Sequence, residues 1–531
     1  MYDILIQNGT VIDGSGRPMY RADVAVKEGR IVALGDLASA RAERMIDATG
    51  QYVTPGFVDV NNHSDTYWQL FSHPELESLL YQGVTTIIGG NSGSSLAPLT
   101  DPGIIRSIQK WTDVEKINFN WLSMRDFLQE VRRRRPAVNF ATLVGHGTIR
   151  RGVMKDRSRA ITPEEIEIMQ KMLHGAMKEG AIGLSTGLKY THARGAGMRE
   201  LLALTKTAVA EEGVYATYVR DEGEGLVESV EEALLVARDA GAPLHISHLK
   251  AVGKNNWHLM DEVFNLIETA ALDDVKVTFD VYPYTTTGSV LYTLLPEWVT
   301  QEGRKMMLAR LKDPGVRSTV LRDMRQKEID YSEILISAST LSKMLSRRKI
   351  SEIAALQGKS PEETVLDFLI ASDGQAIVSM EVLSEKNVLK AIQHPFSIIS
   401  SNGSGYGIEH MKTGELVHPR NFGTFPKVFA EYVRKQQALS WEEAVHKMSG
   451  KPALKFRLDK RGLLQEGYFA DIVVFQPETI TDQATMEDPY KYATGMTSII
   501  INGAVAMENG ALIPGKRYGM VLERKKGWFE W

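Results

Sequence analysis

The strongest constraint on this chain is a long alternation of strand-like and helix-like segments that begins near Gly56. Apolar runs such as "GVTTIIGG", "EGAIGLSTG" and "VKVTFDVYPY" alternate with helical segments. One of these, "TPEEIEIMQKMLHGAMKEG", begins with the helix-start signal at Thr162 and ends at Gly180. Such alternation predicts an α/β fold with parallel strands, and its length favours a closed (β/α)8 TIM-type barrel over residues 56–448.

The two ends of the chain have a different pattern. Residues 1–55 form short strand-like runs with the turn signals Asn8-Gly9 and Glu28-Gly29, and strands return near the end around Asn502-Gly503 and Asn509-Gly510. We therefore expect residues 1–55 and 449–531 to pair into one small β-sandwich domain beside the barrel.

A third region interrupts the alternation. Residues 288–350 follow the strand-like "VTFDVYPY" and are mostly helical in pattern. Gly288 and Pro314-Gly315 supply breaks. Because an insertion after a barrel strand emerges at the face that carries the site, we expect a helical lid over the barrel mouth.

Composition excludes several classes of protein. The chain has no cysteine, which excludes disulfides and thiolate metal ligands, and its net charge of −4 indicates no nucleic-acid surface. The basic run Arg132 to Arg135 is typical of a solvated helix end. No apolar stretch approaches the length of a membrane span and no leader pattern begins the chain, so we expect a cytoplasmic protein without membrane contact. The sequence does not indicate an oligomeric state.

Polar residues follow the predicted barrel strands at their carboxyl ends, where parallel barrels place their chemistry. Burying many polar groups together is costly unless they serve a site, so their convergence predicts a binding or active site, although any one of them could be structural. They are His63, Asp65, Asn91, Ser92, His146, Tyr218, Arg220, Asp221, Glu222, His248, Lys250, Tyr282, Tyr284, Ser401 and Asn402, with Arg420 in a following loop.

Several motifs in order along almost the whole chain resemble one family. "TPGFVDVNNHSD" resembles the first barrel strand of the amidohydrolase superfamily. "LVGHGTIRRGVM", "GAIGLSTGLKY", "YATYVRDEG", "HISHLKAVGKNNW" and "HPRNFGTFPKVFAEYV" resemble its N-acyl-D-amino-acid deacylase (D-aminoacylase) branch. The resemblance implies a (β/α)8 barrel, a β-sandwich from both chain ends, an insertion over the site, and hydrolysis of an amide C–N bond.

The resemblance also implies a zinc site, but most of its ligand positions are substituted here. Its first histidine corresponds to Asn61, its cysteine to Ser92, a later histidine to Tyr218, and its catalytic aspartate to Asn402. Only His63 and His248 are retained as weak metal candidates. Since zinc requires three or four strong donors, we expect no tightly bound cofactor, with zinc possible only at low occupancy.

The substrate side of the site is better retained. The resemblance implies substrate-binding roles for Arg220, Tyr282, Tyr284, His146, Ser92 and Arg420. Lys250 and the two arginines suit a small substrate with a carboxylate. Arg220 could instead pair with Asp221 or Glu222, and the two tyrosines could simply pack around Pro283.

Three functional hypotheses remain open. The first is hydrolysis of an N-acyl (D-)amino acid or related amide with a degenerate or absent zinc site. The second is metal-independent chemistry of another kind, with His248, Tyr218, Lys250 and Asn402 as catalytic groups. The third is a non-catalytic protein that binds carboxylates or acts as a scaffold. Fold alone does not rank these.

Overall fold

The computed structural model describes residues 1–105, 120–155, 157, 159–327, 329–341 and 345–524. Within those ranges eight parallel strands form a barrel and follow one another in chain order. They are Phe57–Asp59, Val84–Gly89, Asn139–Thr142 continued by Val144–Gly145, Gly183–Gly187, Val214–Tyr218, Leu244–Ile246, Val277–Val281 and Ser397–Ile399. We refer to them as the first to eighth barrel strands.

The barrel closes between its first and eighth strands. A parallel bridge joins Asn62 to Gly403, and the His63 N–H donates to the Gly403 carbonyl at 2.7 Å. Below it, the Ser401 N–H donates to Oδ1 of Asp59 at 2.9 Å. The predicted (β/α)8 barrel is confirmed.

Helices cover the outside of the barrel. The long helix Pro163–Lys178 begins as predicted, because Thr162 Oγ1 accepts from the Glu165 N–H and Glu165 accepts in return from the Thr162 N–H. The other α-helices are Gln69–Ser72, Glu77–Leu80, Met124–Arg134, His146–Met154, Thr191–Arg194, Met198–Ala210, Leu226–Ala240, Leu259–Leu272, Glu385–Gln393, Arg420–Lys427, Trp441–Met448 and Gly450–Lys455, with short 3₁₀ turns at Pro102–Ile104, Lys254–Asn256 and Ile408–Thr413 and a π-helix at Val428–Lys435.

The barrel strands are apolar runs because both of their faces are covered. Every residue of Val84–Gly89 and of Val214–Tyr218 is buried. A strand covered by helices on one side and by the barrel interior on the other has no solvent face that would need alternating polar residues.

Strands from both chain ends pair in one sheet, which confirms the predicted β-domain. Tyr52–Pro55 pairs with Ile472–Phe475, and the sheet order is Ala511–Leu512, Ala504–Glu508, Met496–Ile501, Ile472–Phe475, Tyr52–Pro55, Thr10–Val11, Tyr20–Arg21. The facing sheet has the order Arg30–Gly35, Asp23–Lys27, Tyr2–Gln7, Ala42–Asp47. Asn502 and Gly503 both have positive φ, 51° and 80°, as the predicted hairpin turn requires. The domain boundaries at residues 55 and 449 remain a prediction that this pairing supports.

The insertion is larger than predicted and is not only helical. It contains an antiparallel sheet of Thr286–Val290, Ala376–Glu381 and Ile334–Ser339. The α-helices Glu297–Thr300, Gly303–Lys312, Pro314–Arg325, Ile350–Gln357 and Pro361–Ala371 pack on it, with 3₁₀ turns at Leu291–Leu294 and Tyr331–Glu333. Buried side chains such as Leu311, Ile336 and Phe368 form a separate core. The insertion therefore spans about residues 286–381, beyond the predicted end at residue 350, and is a small domain of its own.

No helix in the described ranges is long and apolar enough to cross a membrane.

Candidate active site

A cavity of about 1450 Å³ lies at the carboxyl ends of the barrel strands. Residues of the insertion, including Ser289, Ser337 and Ser379, form part of its wall, so the insertion covers the mouth as a lid would. Seven predicted site residues line this one cavity: His63, Ser92, Tyr218, His248, Lys250, Asn402 and Arg420.

Three of these residues have a backbone conformation that is unusual for a side-chain-bearing residue. Ser92, His248 and Asn402 have φ values of 52°, 39° and 44°, and each follows a different barrel strand. A left-handed backbone costs a residue with a Cβ on the order of 1 kcal/mol and persists only where the surrounding structure enforces it. Such strain clusters at functional sites, so it supports a site at these strand ends.

His63 and Asn402 connect the first and eighth strands across the cavity floor. His63 Nε2 lies 2.9 Å from Asn402 Oδ1, and because the amide oxygen accepts, the imidazole carries its proton on Nε2. The Asn402 Nδ2 group has no acceptor among the described residues and lines the cavity. Asn402 thus presents an N–H donor to a ligand.

Asn61 lies below the cavity and does not line it. Its Nδ2 is 3.4 Å from both carboxylate oxygens of Asp280. Asp280 also accepts from His245 Nε2 at 2.9 Å and from Ser400. Burial raises the pKa of Asp280, but the bonds and charge of His245 outweigh burial, so its pKa is lowered and it remains a carboxylate. Asn61 is therefore part of a buried polar network beneath the site.

Glu222, one of the polar residues at the strand ends and a possible partner for Arg220 in the sequence, is the centre of the polar cluster in this cavity. It accepts from Tyr218 Oη at 3.1 Å and from Lys250 Nζ, and its Oε1 is 3.3 Å from His248 Nδ1. The motif "RDEG" at the end of the fifth barrel strand places it among the predicted polar residues, but the sequence does not show that it contacts Lys250 and His248.

Burial and charge fix the protonation of this cluster. Burial raises the pKa of Glu222, but the Lys250 ammonium and the neighbouring His248 outweigh it, so the pKa lies well below its ordinary value. Burial, and then the Glu222 charge, raise the pKa of Tyr218 well above 10. Burial, and then Lys250, lower the pKa of His248. Near neutral pH the cluster consists of a carboxylate, an ammonium, a neutral phenol and a neutral imidazole.

Arg420 is a half-buried cation that has no counter-ion among the described residues. Its Nε and Nη1 are buried and have no hydrogen-bond partner among the described residues. Its guanidinium carbon lies 5.1 Å from the centre of the Tyr282 ring, and Tyr282 Oη donates to Thr287 of the insertion at 3.1 Å. A buried guanidinium without an anion is costly, so this position suits a negatively charged ligand.

Two residues with predicted substrate-binding roles, Arg220 and His146, lie outside the lining of the cavity. The Arg220 guanidinium forms two bonds to Glu232, at 2.8 and 3.0 Å, and donates to backbone carbonyls. His146 is fully buried, and its Nε2 lies 2.8 Å from Glu200. Neither residue lines the cavity, because partners on neighbouring helices hold both side chains.

The predicted roles of Lys250 and the tyrosines also change. Lys250 is ion-paired with Glu222 and is not free for a substrate carboxylate. Tyr284 is buried outside the cavity lining, with Lys427 Nζ 4.3 Å from its ring centre. Tyr282 lies behind the wall, between Arg420 and Lys250, and its ring positions these two cations.

The fold is that of a solved amidohydrolase structure, and the amidohydrolase family profile matches residues 44–507. The chain belongs to the amidohydrolase family, as the sequence resemblance predicted.

Full-length relatives of this chain include deacylases. D-aminoacylase of Alcaligenes xylosoxydans xylosoxydans is 36% identical over 523 residues, which covers 98% of each chain. N-acyl-D-aspartate deacylase of the same organism is 34% identical, covering 98% of this chain and 95% of the relative. A D-aminoacylase structure from work on its binuclear metal centre superposes with a TM-score of 0.83 at 35% identity, over 99% of this chain and 100% of that one. N-acyl-D-glutamate deacylase from Bordetella bronchiseptica, complexed with zinc and a phosphonate inhibitor, also gives 0.83 at 30% identity, over 98% and 100%.

The residues of this chain do not fit such a metal centre. Within the described part of the chain, no three His, Cys, Asp or Glu side chains are placed to hold one ion. His63 Nε2 is bonded to Asn402, and the Lys250 ammonium is 2.9 Å from His248 Nδ1. The positive charge of Lys250 at His248 Nδ1 would repel a metal ion bound to the same imidazole. Ser92 and Tyr218 offer only neutral oxygens, which are weak donors for zinc.

Proposed function

We propose that this protein hydrolyses the amide bond of an N-acyl amino acid, holds the substrate by its carboxylate, and does so without tightly bound zinc. Water adds to the acyl carbon, the C–N bond breaks, and a carboxylate and an amine leave. Family membership and the names of the full-length relatives support the reaction class. A cytoplasmic location stays a prediction from the sequence.

The observation that carries the proposal is the unpaired guanidinium of Arg420 in the cavity wall. Of the three cations that suit a substrate carboxylate, Lys250 is paired with Glu222 and Arg220 with Glu232. Arg420 lacks a carboxylate partner in the described chain and lines the cavity. A substrate carboxylate would supply the missing anion through charge-assisted hydrogen bonds.

Substitution of Arg420 tests the anchor. We expect Arg420→Met to raise KM for N-acyl amino acids by about 10- to 100-fold, because one charge-assisted hydrogen bond contributes about 1.5–3 kcal/mol. The same acyl compounds with a carboxamide in place of the carboxylate should bind equally to both proteins. Arg322→Met, at an exposed helix position, is the matched control. An unchanged KM for the carboxylates in Arg420→Met would contradict the anchor.

Chelation and metal analysis test the metal part of the proposal. The chelated protein is assayed for amine release on a panel of N-acyl-D- and N-acyl-L-amino acids, and its metal content is measured by elemental mass spectrometry. We expect turnover that survives chelation, with well under one zinc per chain. Turnover only after zinc is added would refute metal independence. A rise in melting temperature with carboxylates but no turnover on any substrate would refute hydrolysis and favour a binding protein.

A further inference from the structure

Lys250 is surrounded by acceptors that account for all of its donor capacity. Among the described residues, its Nζ contacts a Glu222 carboxylate oxygen, the His248 carbonyl at 3.0 Å and His248 Nδ1 at 2.9 Å. Its side chain is 9% exposed. An ammonium has three N–H groups, and a buried donor needs an acceptor for each of them. The three contacts meet that need only if His248 Nδ1 accepts a hydrogen bond.

The alternative arrangement has a longer bond and leaves a donor unsatisfied. If Nδ1 carried the proton, it would donate to Glu222 Oε1 over 3.3 Å, and one N–H of Lys250 would lose its acceptor. The shorter 2.9 Å contact and the complete set of acceptors both favour Nδ1 as the acceptor. The neutral ring then carries its proton on Nε2, at the opposite edge of the imidazole.

This Nε2–H is available to a ligand. His248 lines the cavity, and its Nε2 has no hydrogen-bond partner in the described ranges. The Tyr218 ring lies edge-on to the imidazole with its centre 4.4 Å away, which restricts rotation of the imidazole. Asn402 Nδ2 presents a second N–H to the same cavity from the eighth strand.

We propose that Lys250 and Glu222 are positioning residues that fix His248 as an Nε2–H donor, and that this donor and Asn402 Nδ2 bind the oxygen of the substrate's scissile carbonyl. The second part rests on the proposed function. Both donors are neutral and held in place before substrate arrives, which is the condition for stabilising a developing oxyanion without reorganisation. They occupy positions that the family resemblance assigns to the metal site. Hydrogen bonds would thus polarise the carbonyl in place of a metal ion.

Nitrogen NMR tests the tautomer without substrate. The protein is labelled with ¹⁵N-histidine, and the His248 signals among the 12 histidines are assigned by their loss in His248→Gln. We expect a protonated Nε2 and an acceptor-type Nδ1 in the wild-type protein. In Lys250→Met the proton should move to Nδ1, where Glu222 accepts it, while Lys254→Met, an exposed lysine of the same cavity, should leave the spectrum unchanged. A proton on Nδ1 in the wild-type protein would overturn the proposal, whether or not the variant folds.

Kinetics then test the role of the donor. We expect His248→Leu to lower kcat about 100-fold, in line with loss of one oxyanion donor, while KM changes little. His248→Gln, which keeps an N–H group, should recover part of kcat. An unchanged kcat in His248→Leu would overturn the carbonyl-binding role. If the tautomer is as expected but no substrate turns over, the proposed function has failed and the positioning role of Lys250 still holds.

Discussion

Arg220 and Arg420 have the same side chain, yet their surroundings give them opposite roles. Arg220 is enclosed by Glu232 and two backbone carbonyls, whereas Arg420 has an aromatic ring and a cavity. The distinction depends on which helix packs against each residue, and a residue's immediate sequence does not contain that information. Arg220 therefore contributes to stability and Arg420 is available to a ligand.

We expect Arg220→Met to destabilise the protein by about 2 kcal/mol, since it leaves the partly buried Glu232 without its counter-ion. The two side chains are only 25% and 21% exposed. The free energy of unfolding, measured with denaturant, checks this, and KM should not change. Arg238→Met is the control, because Arg238 and Asp239 form an exposed pair that contributes about 0–1 kcal/mol. Equal losses in the two variants would contradict the structural role of Arg220.

At the scale of elements, the insertion leaves and re-enters the barrel at one place. Gly288 and Ser379 are paired directly across its sheet, so their Cα atoms are about 5 Å apart. Its buried core is separate from that of the barrel. The insertion can therefore be removed as a unit, although not at the ends that the helical pattern predicted.

Replacement of residues 289–378 by an Asn-Gly turn tests this. We expect the shortened protein to keep a cooperative melting transition, because the turn joins two residues that are already paired across the sheet. We also expect it to lose affinity for N-acyl amino acids, because the replacement removes part of the cavity wall. Circular dichroism and calorimetric titration measure the two effects. Deletion of residues 288–350 should instead unfold the region, since it removes the strand Ile334–Ser339 and three of the five residues of Thr286–Val290, the two partners of Ala376–Glu381. Unchanged affinity after the clean replacement would refute the lid.

The sequence predicts elements better than it predicts contacts. The apolar runs predict the barrel strands because burial on both faces leaves a clear pattern, and Thr162 marks a helix start through local hydrogen bonds. The insertion sheet was missed, because its strands lie far apart in sequence and contain polar residues such as Ser289, Ser337 and Ser379. Glu222 was missed as a site centre for the same reason: its partners Lys250 and His248 come from another strand.

At the scale of the whole molecule, Lys447 and Lys451, which contact residues at the start of the eighth barrel strand, link stability to pH. Lys447 Nζ donates to the His394 carbonyl at 2.5 Å and to Ser397 Oγ at 2.8 Å, and no carboxylate in the described part of the chain is bonded to it. Burial lowers its pKa to about 7, with a further contribution from Lys451 and an opposing one from Glu443. Burial also lowers the pKa of Lys451 to about 8. Unfolded lysine has a pKa of about 10.4, so the unfolded state binds more protons between these values.

We therefore expect the free energy of unfolding to rise between pH 7 and pH 10, because stability increases with pH wherever the unfolded state binds more protons. Below pH 7 both states are protonated at Lys447 and its contribution to the slope disappears. Lys447→Met should flatten the rise, whereas Lys312→Met, at an exposed helix end, should not. Denaturant unfolding at several pH values measures the slope. A wild-type protein whose stability is constant or falls over this range would contradict the prediction.

The closure of the barrel between its first and eighth strands affects how the chain is made. The first strand, Phe57–Asp59, obtains its second neighbour only when residues near 403 are present, and Tyr52–Pro55 needs Ile472–Phe475. At about 5–20 residues per second, a ribosome takes roughly 20–100 seconds to reach residue 475. During that time the growing chain has open strand edges, which invite pairing with other chains. Those early strands are the segments that a chaperone at the ribosome exit would have to shield.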